Sequence, residues 1–324
     1  MVHLFQHRLL NGKYGDPIVH LSLFGKNFSY LIDLGDVSRL SNKHLLTVKS
    51  IFVTHTHMDH FYGFDRVLRT FLGKEKVLKI YGPKNIIKNV SGKLEGYTWN
   101  LVENYNNNFI IEVFEIYKTK MKRARFACKK KFRKEELKDE IIENAVFFSG
   151  EDHTVKGIVL DHKTPCIAYF FEERFHVNII KEKLSKYGLE TGKWLTELKN
   201  FIYNDNLEQE MVVCNKKYKV LELKELFTKI TPGNKISYIT DIQFSKRNID
   251  LIKKHIQGTT YLYIEAPFLN SERARARERY HLTAKQAGYI AKLSKAKKVI
   301  PFHVSPIHTG EFNLIKKEIM AEFR

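Results

Sequence analysis

The stretch Lys49–His60, KSIFVTHTHMDH, changes character halfway along its length. Ile51 to Val53 are apolar, with β-branched and aromatic side chains, so they read as the buried core of a strand. The strand then stops in histidines and a carboxylate: His55, His57, Asp59 and His60 occupy six positions. Polar groups at that density are costly to bury unless they pair or bind something. A loop leaving a strand end can point alternate imidazoles at one cation while Asp59 and His60 face a second. Nitrogen and carboxylate donors suit zinc first, with manganese or iron as alternatives. The competing reading is a polar surface loop carrying coincidental histidines.

Outward from this run, other short apolar stretches also end in chemistry-bearing residues. PIVHLSLFGKNFSYLIDLG (17–35) reads as two strands about a Gly-Lys-Asn turn. Residues 62–75 suit a helix, and LKIYG reads as a strand before Gly82-Pro83, with a short helix from Lys84. Residues 106–117 and 145–149 look strand-like. GIVLDH (157–162), KISYITD (235–241), TTYLYIEA (259–266) and KKVIPFHVSP (297–306) are strands that end near His162, Asp241, Glu265 and His303. HLTAKQAGYIAKLSKA (281–296) has apolar positions at helical spacing. Strands first, then strands mixed with helices, predict an α/β chain of two layered sheets with helices outside.

With 324 residues, 43% of them hydrophobic, the chain can bury a large core and is not disordered. Its 55 Lys and Arg against 36 Asp and Glu leave a formal charge of +19. Such a surface attracts polyanions, nucleic acid foremost, unless it is simply a lysine-rich solvated face. Cys128, Cys166 and Cys214 lie far apart without a CxxC pair, which suits a reducing compartment. The N-terminal residues do not read as a signal peptide, and no stretch reaches transmembrane length, so a cytoplasmic protein without a membrane partner is expected.

HTHMDH, with Gly63 behind it, resembles the HxHxDH signature of the metallo-β-lactamase fold. The resemblance implies a four-layer αββα sandwich, here one hydrolase domain over 1–324. DHKTPCIAY, YITD, EAPF, HLTAKQAG and FHVSP, in that order, narrow it to ribonuclease Z, the tRNA 3′-end processing endonuclease. It implies that His55, His57 and His162 hold one divalent ion, that Asp59, His60 and His303 hold the other, and that Asp241 bridges them. Asp33 would brace the metal loop. Asp59 would also take the proton of a metal-activated water, His281 would contact the phosphate and protonate the leaving group, and Glu265 would orient His281. For His281 and Glu265 the alternatives are local hydrogen bonding and a satisfied structural carboxylate. The implied partners are RNA, as precursor tRNA, and a second copy of the chain in a homodimer.

The chain departs from that pattern in places. The SPRY ending becomes Ser305-Pro306-Ile307-His308, and a Gly/Pro-rich arm is absent around 173–200, where a variant arm is expected. KTKMKRARFACKKKFRK (118–134) has ten basic residues in seventeen and no acid. It predicts a hairpin that either tracks a phosphate backbone or presents a solvated face. ERARARER (272–279) sets four arginines just before His281. In a helix they would spread around the axis, so few could reach one ligand. Cys166, Trp99 and Trp194 read as packing residues, and Gly12, Gly15 and Gly35 as turn residues. The alternatives to an endoribonuclease are a phosphodiesterase for a small or non-tRNA substrate, and a nucleic-acid-binding protein with a non-catalytic metal site.

Overall fold

The computed structural model describes residues 3–324. In chain order the first sheet is built from β1 (Phe5–Leu9), β2 (Val19–Leu23), β3 (Ser29–Ile32), β4 (Val48–Phe52), β5 (Lys76–Gly82), β6 (Phe109–Ile116), β7 (Lys120–Ala127) and β8 (Lys134–Ile141), which lie side by side in that order. β3 to β6 are parallel, and antiparallel hairpins flank them on both sides. Helices α1 (Asn42–Thr47), α2 (Met58–Phe61), α3 (Phe64–Phe71) and α4 (Ile86–Glu95) provide the crossovers among the parallel strands. Val67, Phe71, Ile86 and Val90 bury against Leu31, Ile51, Ile80 and Val113 on one face of the sheet. Gly63 is required where α3 begins: a Cβ there would collide with the Gly35 and Leu34 carbonyls.

The second sheet starts with β9 (Val146–Ser149), β10 (His153–Asp161) and β11 (Pro165–Glu173). The chain then makes a separate compact unit, Glu173–Gly233. That unit has β12 (His176–Ile179), α5 (Lys181–Lys186), α6 (Lys193–Tyr203), the hairpin β13 (Glu210–Val213) and β14 (Lys216–Lys219), α7 (Val220–Phe227) and β15 (Thr228–Thr231). Leu184, Leu198, Val220, Leu223 and Phe227 form its own apolar cluster. Residues 173–200, expected as a variant arm, fall within a small α+β unit that runs past residue 200, and β12 pairs with β15 to close its two ends.

The chain returns through β16 (Lys235–Ile239), α8 (Lys246–His255), β17 (Tyr261–Glu265), α9 (Arg273–Glu278), α10 (Ala284–Leu293), β18 (Lys298–Phe302) and α11 (Phe312–Phe323). The strand order is β18-β17-β16-β11-β10-β9, with β16, β17 and β18 parallel. Phe52, Tyr81 and Phe114 of the first sheet meet Tyr169, Phe171, Tyr238 and Phe302 of the second in one apolar layer. The far face of the second sheet buries Ile239, Leu262 and Ile264 under α8, α10 and α11 through Ile252, Ile290 and Ile315. Helix, sheet, sheet and helix layers give the four-layer αββα sandwich. Alternation sends one set of side chains from each strand into the aromatic layer and the other under helices. The same edge of both parallel blocks is left for the loops after β4, β16, β17 and β18.

Candidate metal centre

β4 delivers Val53-Thr54-His55 into the site, and one turn of helix, α2, carries Asp59 and His60. The loop is held by Asp33, whose backbone takes a left-handed φ of 59°. Its Oδ1 accepts from the Thr54 N–H at 2.7 Å and the Thr54 hydroxyl at 2.9 Å. Its Oδ2 accepts from His60 Nδ1 at 2.9 Å and from the Tyr238 hydroxyl at 3.0 Å. With Nδ1 engaged, His60 must turn Nε2 inward, which fixes the tautomer a cation needs. His162 is set in the same way, its Nδ1 donating to the Tyr280 carbonyl at 2.8 Å. Tyr238, Thr54 and Tyr280 were not picked out from sequence. The available signal for Tyr238 was a phenol hydroxyl in the strand that leads to Asp241, which needs an acceptor when buried.

The donor atoms of the seven expected ligands converge in two groups. His55, His57, His162 and Asp241 form one, and Asp59, His60 and His303 the other. Asp241 Oδ2 lies 3.3 Å from His55 Nε2, 3.3 Å from His60 Nε2 and 3.7 Å from His162 Nε2. Its Oδ1 lies 2.8 Å from His303 Nδ1. Asp241 thus stands between the groups, the position a bridging carboxylate occupies. Asp241 and His303 both adopt positive φ, 50° and 54°. Left-handed backbone at non-glycine residues costs about 1–3 kcal/mol each and persists where surroundings over-determine it.

The nest suits cations by a direct test. His55 Nε2, His60 Nε2 and His303 Nδ1 are buried and have no hydrogen-bond partner among the described residues. The Asp241 oxygens are close to all three, but the contacts are not aligned as hydrogen bonds. Convergent lone pairs around a shared centre produce this pattern, and the nitrogen-rich donor set fits divalent ions. Burial, with neighbouring His55 and His162, lowers the His57 pKa to about 4, and burial also lowers that of His55. Both are therefore neutral imidazoles at neutral pH, the ligating form. Burial works against charge on Asp59, yet the hydrogen bond from His303 and the field of His60 hold it at about 2. Asp59 is a carboxylate throughout the neutral range.

His281 stands just outside the nest. Its Nδ1 is 2.6 Å from Glu265 Oε2 and 3.9 Å from Asp241 Oδ1. Burial disfavours its cation, but Glu265 outweighs burial and raises the pKa. Glu265 is fully buried at the end of β17, and its other oxygen accepts from the Ile242 N–H at 2.8 Å. The carboxylate therefore ties His281 to the backbone directly after Asp241. The structure brings all nine sequence-chosen residues to this one rim: His55, His57, Asp59, His60, His162, Asp241, Glu265, His281 and His303.

The other sequence features separate. The basic run forms β7 and the start of β8, and its cations meet acids: Lys120–Asp139 at 2.9 Å, Arg123–Glu140 at 2.6 Å, Arg125–Glu112 at 2.8 Å and Lys130–Glu135 at 3.2 Å. Of the ERARARER arginines, Arg273 and Arg277 line one cavity with His281, while Arg275 is drawn to Glu272 and lies over Phe268. His308 fills part of the altered SPRY region. Its two nitrogens lie 2.7 Å from Glu272 and 2.9 Å from Glu311. Cys166 is buried, donates to the Thr240 carbonyl at 3.2 Å and makes a packing contact beside His55. No helix among the described residues is long and apolar enough to cross a membrane.

No family model matches the chain. Among curated proteins it is similar to ribonuclease Z of Nanoarchaeum equitans, 28% identical over 298 residues, which covers 90% of this chain and 78% of the relative. Ribonuclease Z of Methanocaldococcus jannaschii is 29% identical over 278 residues, covering 85% and 75%. Among solved structures, the metallo-β-lactamase fold protein YhfI from Bacillus subtilis matches with a TM-score of 0.57 at 14% identity, covering 98% and 92% of the two chains. The short form of human tRNase Z matches with a TM-score of 0.55 at 17% identity, covering 94% of each. At such identities the solved structures speak for the fold alone.

Proposed function

We propose that this member of the metallo-β-lactamase fold superfamily, built as a metal-dependent hydrolase, is an endoribonuclease that cleaves precursor tRNA near its 3′ end. The observation that carries the reading is the Glu265–His281 pair beside the donor nest, with Arg273 and Arg277 lining a cavity that His281 also lines. A histidine held by a buried carboxylate and backed by guanidinium groups suits a phosphodiester. The similarity to curated ribonucleases Z over most of the chain supports RNA as the substrate.

In this reading His55, His57 and His162 would hold one ion and Asp59, His60 and His303 the other, with Asp241 available to both. Two divalent ions, zinc first given the imidazole-rich donors, with manganese or iron as alternatives, would polarise the phosphodiester and make water nucleophilic at neutral pH. Asp59 accepts the proton of the attacking water. His281 donates a proton to the departing 3′ oxygen, and Glu265 is the positioning residue that holds its ring. The upstream RNA ends in a 3′-hydroxyl and the downstream piece in a 5′-phosphate. We read residues 1–324 as one hydrolase whose variant arm is the Glu173–Gly233 unit. We also infer a homodimer and, from three unpaired cysteines, a reducing cytoplasmic setting.

The test incubates zinc-loaded protein with defined precursor tRNAs and maps the cleaved ends. Cuts at the mature 3′ boundary, slowed by about 100-fold or more in His281→Ala, are expected. No cleavage of any precursor RNA at full metal occupancy would reject the reading. One observation favours a second reading, a phosphodiesterase for a small substrate: several cations of the basic hairpin are already paired with nearby acids. Fast turnover of a small diester with salt-insensitive RNA binding would select it.

A further inference from the structure

A cavity of about 510 Å³ opens beside His281, and none of the seven proposed metal ligands lines it. This is within the about 300–1,000 Å³ of small-ligand pockets. Arg273 and Arg277 are four residues apart on α9, so their guanidinium groups share one face. Among the described residues neither has an ion-pair partner, although Arg275 between them is held by Glu272. Ala276 is buried and its carbonyl accepts from the His281 N–H at 2.9 Å, so α9 is joined directly to the histidine. Gln243, Phe244 and Gln286 also line the cavity. The Gln243 side-chain amide makes no hydrogen bond among the described residues. Gln286 uses only its carbonyl oxygen, to cap α10 at the Thr283 N–H, which leaves its NH₂ group for a ligand. The Phe244 ring lies edge-on to Tyr289, which steadies it as an aromatic wall.

Two unpaired guanidinium groups, two amides and an aromatic ring match the three parts of a nucleotide: phosphate, base edge and base face. We propose that this cavity binds the substrate nucleotide that carries the leaving 3′ oxygen, with its own 5′-phosphate on Arg273 and Arg277. The assignment rests on the reading of His281 given above. When the P–O3′ bond breaks, the water oxygen forms the new bond to phosphorus and the proton passes from His281 to O3′. The nucleoside bearing O3′ must then lie on the His281 side of the scissile phosphate, where the cavity is. Placement there presents O3′ to the histidine, so the subsite selects which phosphodiester is cut.

A nucleoside 5′-monophosphate is this unit after cleavage, with a free 3′-hydroxyl, and is the probe. Calorimetric titration of the full chain with AMP, adenosine and inorganic phosphate is run metal-loaded and again after chelation, which separates phosphate held by ions from phosphate held by arginine. AMP should bind after chelation, more tightly than adenosine or phosphate. Arg273→Ala/Arg277→Ala should weaken it by about tenfold or more, equivalent to about 1.4 kcal/mol. Arg69→Ala/Lys74→Ala removes the same charge from another surface and should leave AMP binding intact. Milder Arg273→Gln and Arg277→Gln variants, checked by thermal unfolding, serve if the double variant does not fold. AMP affinity within twofold of wild type in the Arg273 and Arg277 variants, or phosphate binding as tightly as AMP, overturns the subsite. Arginine-dependent AMP binding without precursor cleavage would reject the endoribonuclease reading while keeping the subsite. Cleavage with arginine-independent AMP binding would do the reverse.

Discussion

The histidine nest and the β7–β8 hairpin both concentrate ionisable side chains, and they use them in opposite ways. In the hairpin the cations project to solvent and each named pair closes locally, Lys120 on Asp139 and Lys130 on Glu135, with both partners substantially exposed. Solvent screens such pairs, and their contribution to stability is small. In the nest His55, His60, His162 and Asp241 are buried, the outer nitrogens of His60 and His162 are satisfied by Asp33 and the Tyr280 carbonyl, and His55 Nε2, His60 Nε2 and His303 Nδ1 are left facing the shared centre. Charge density therefore does not mark a site. Buried polar atoms oriented by second partners, with their remaining lone pairs unspent, do.

The strongest attack on this contrast removes the bridging charge without changing shape. Asp241→Asn keeps the volume but replaces an anion among His55, His60, His162 and His303 by a neutral amide. Metal content should fall by at least one ion per chain, and cleavage by about 1,000-fold or more. Elemental analysis alongside single-turnover rates checks both. Two ions retained with near-normal rates would show that Asp241 does not join the groups.

Much of this site was readable because its chemistry is local. Six residues after one strand carry four donors, and Asp241, Glu265 and His303 each follow an apolar run at a strand end. The braces were harder to read. Tyr238 reaches Asp33 across 205 positions and His308 reaches Glu272 across 36, and pairing at such range is set by the layering of the two sheets, which no local pattern encodes. Helices α8 and α11 were missed because lysines and polar residues interrupt their apolar stripes. Strands β12, β13 and β15 of the Glu173–Gly233 unit are four residues long, too short for alternation to register. The hairpin shows a different failure. Glu135, Glu136, Asp139 and Glu140 follow the basic run immediately, and reading 118–134 as a block cut the cations from their partners.

A buried histidine without a cation-binding role sharpens the contrast at intermediate energy. His153 is buried, and its Nε2 lies 3.1 Å from the Tyr30 hydroxyl. Rings of Phe5, Tyr30 and Phe148 surround it. Burial, assisted by Lys26 and Lys49 and opposed by Asp152, lowers its pKa to about 4. The unfolded chain binds this proton near pH 6.5 and the folded chain only near 4. The associated stability is complete above about 6.5 and is lost as pH falls through that window. Its size is at most about 3.5 kcal/mol. Denaturant unfolding of wild type and His153→Gln at pH 7 and 4.5 should show a smaller pH-dependent loss in the variant. Equal losses would place the acid sensitivity elsewhere.

The smallest effects are expected in the hairpin, and they test the contrast from the other side. Lys120→Gln and Lys130→Gln each remove one exposed pair and should change unfolding free energy by less than about 0.5 kcal/mol. The more telling readout is the salt dependence of precursor RNA binding. Each phosphate neutralised in a complex contributes about 0.7–0.9 to the slope of log affinity against log salt. Cations already matched by Asp139 and Glu135 release few counterions on binding, so the Lys120→Gln/Lys130→Gln double variant should leave the slope within about 0.5 of wild type. Arg273→Ala/Arg277→Ala should lower it by about one or more, because those guanidinium groups have no acid partner to give up. A slope that drops by nearly two in the lysine variant would make the hairpin a phosphate track despite its acids.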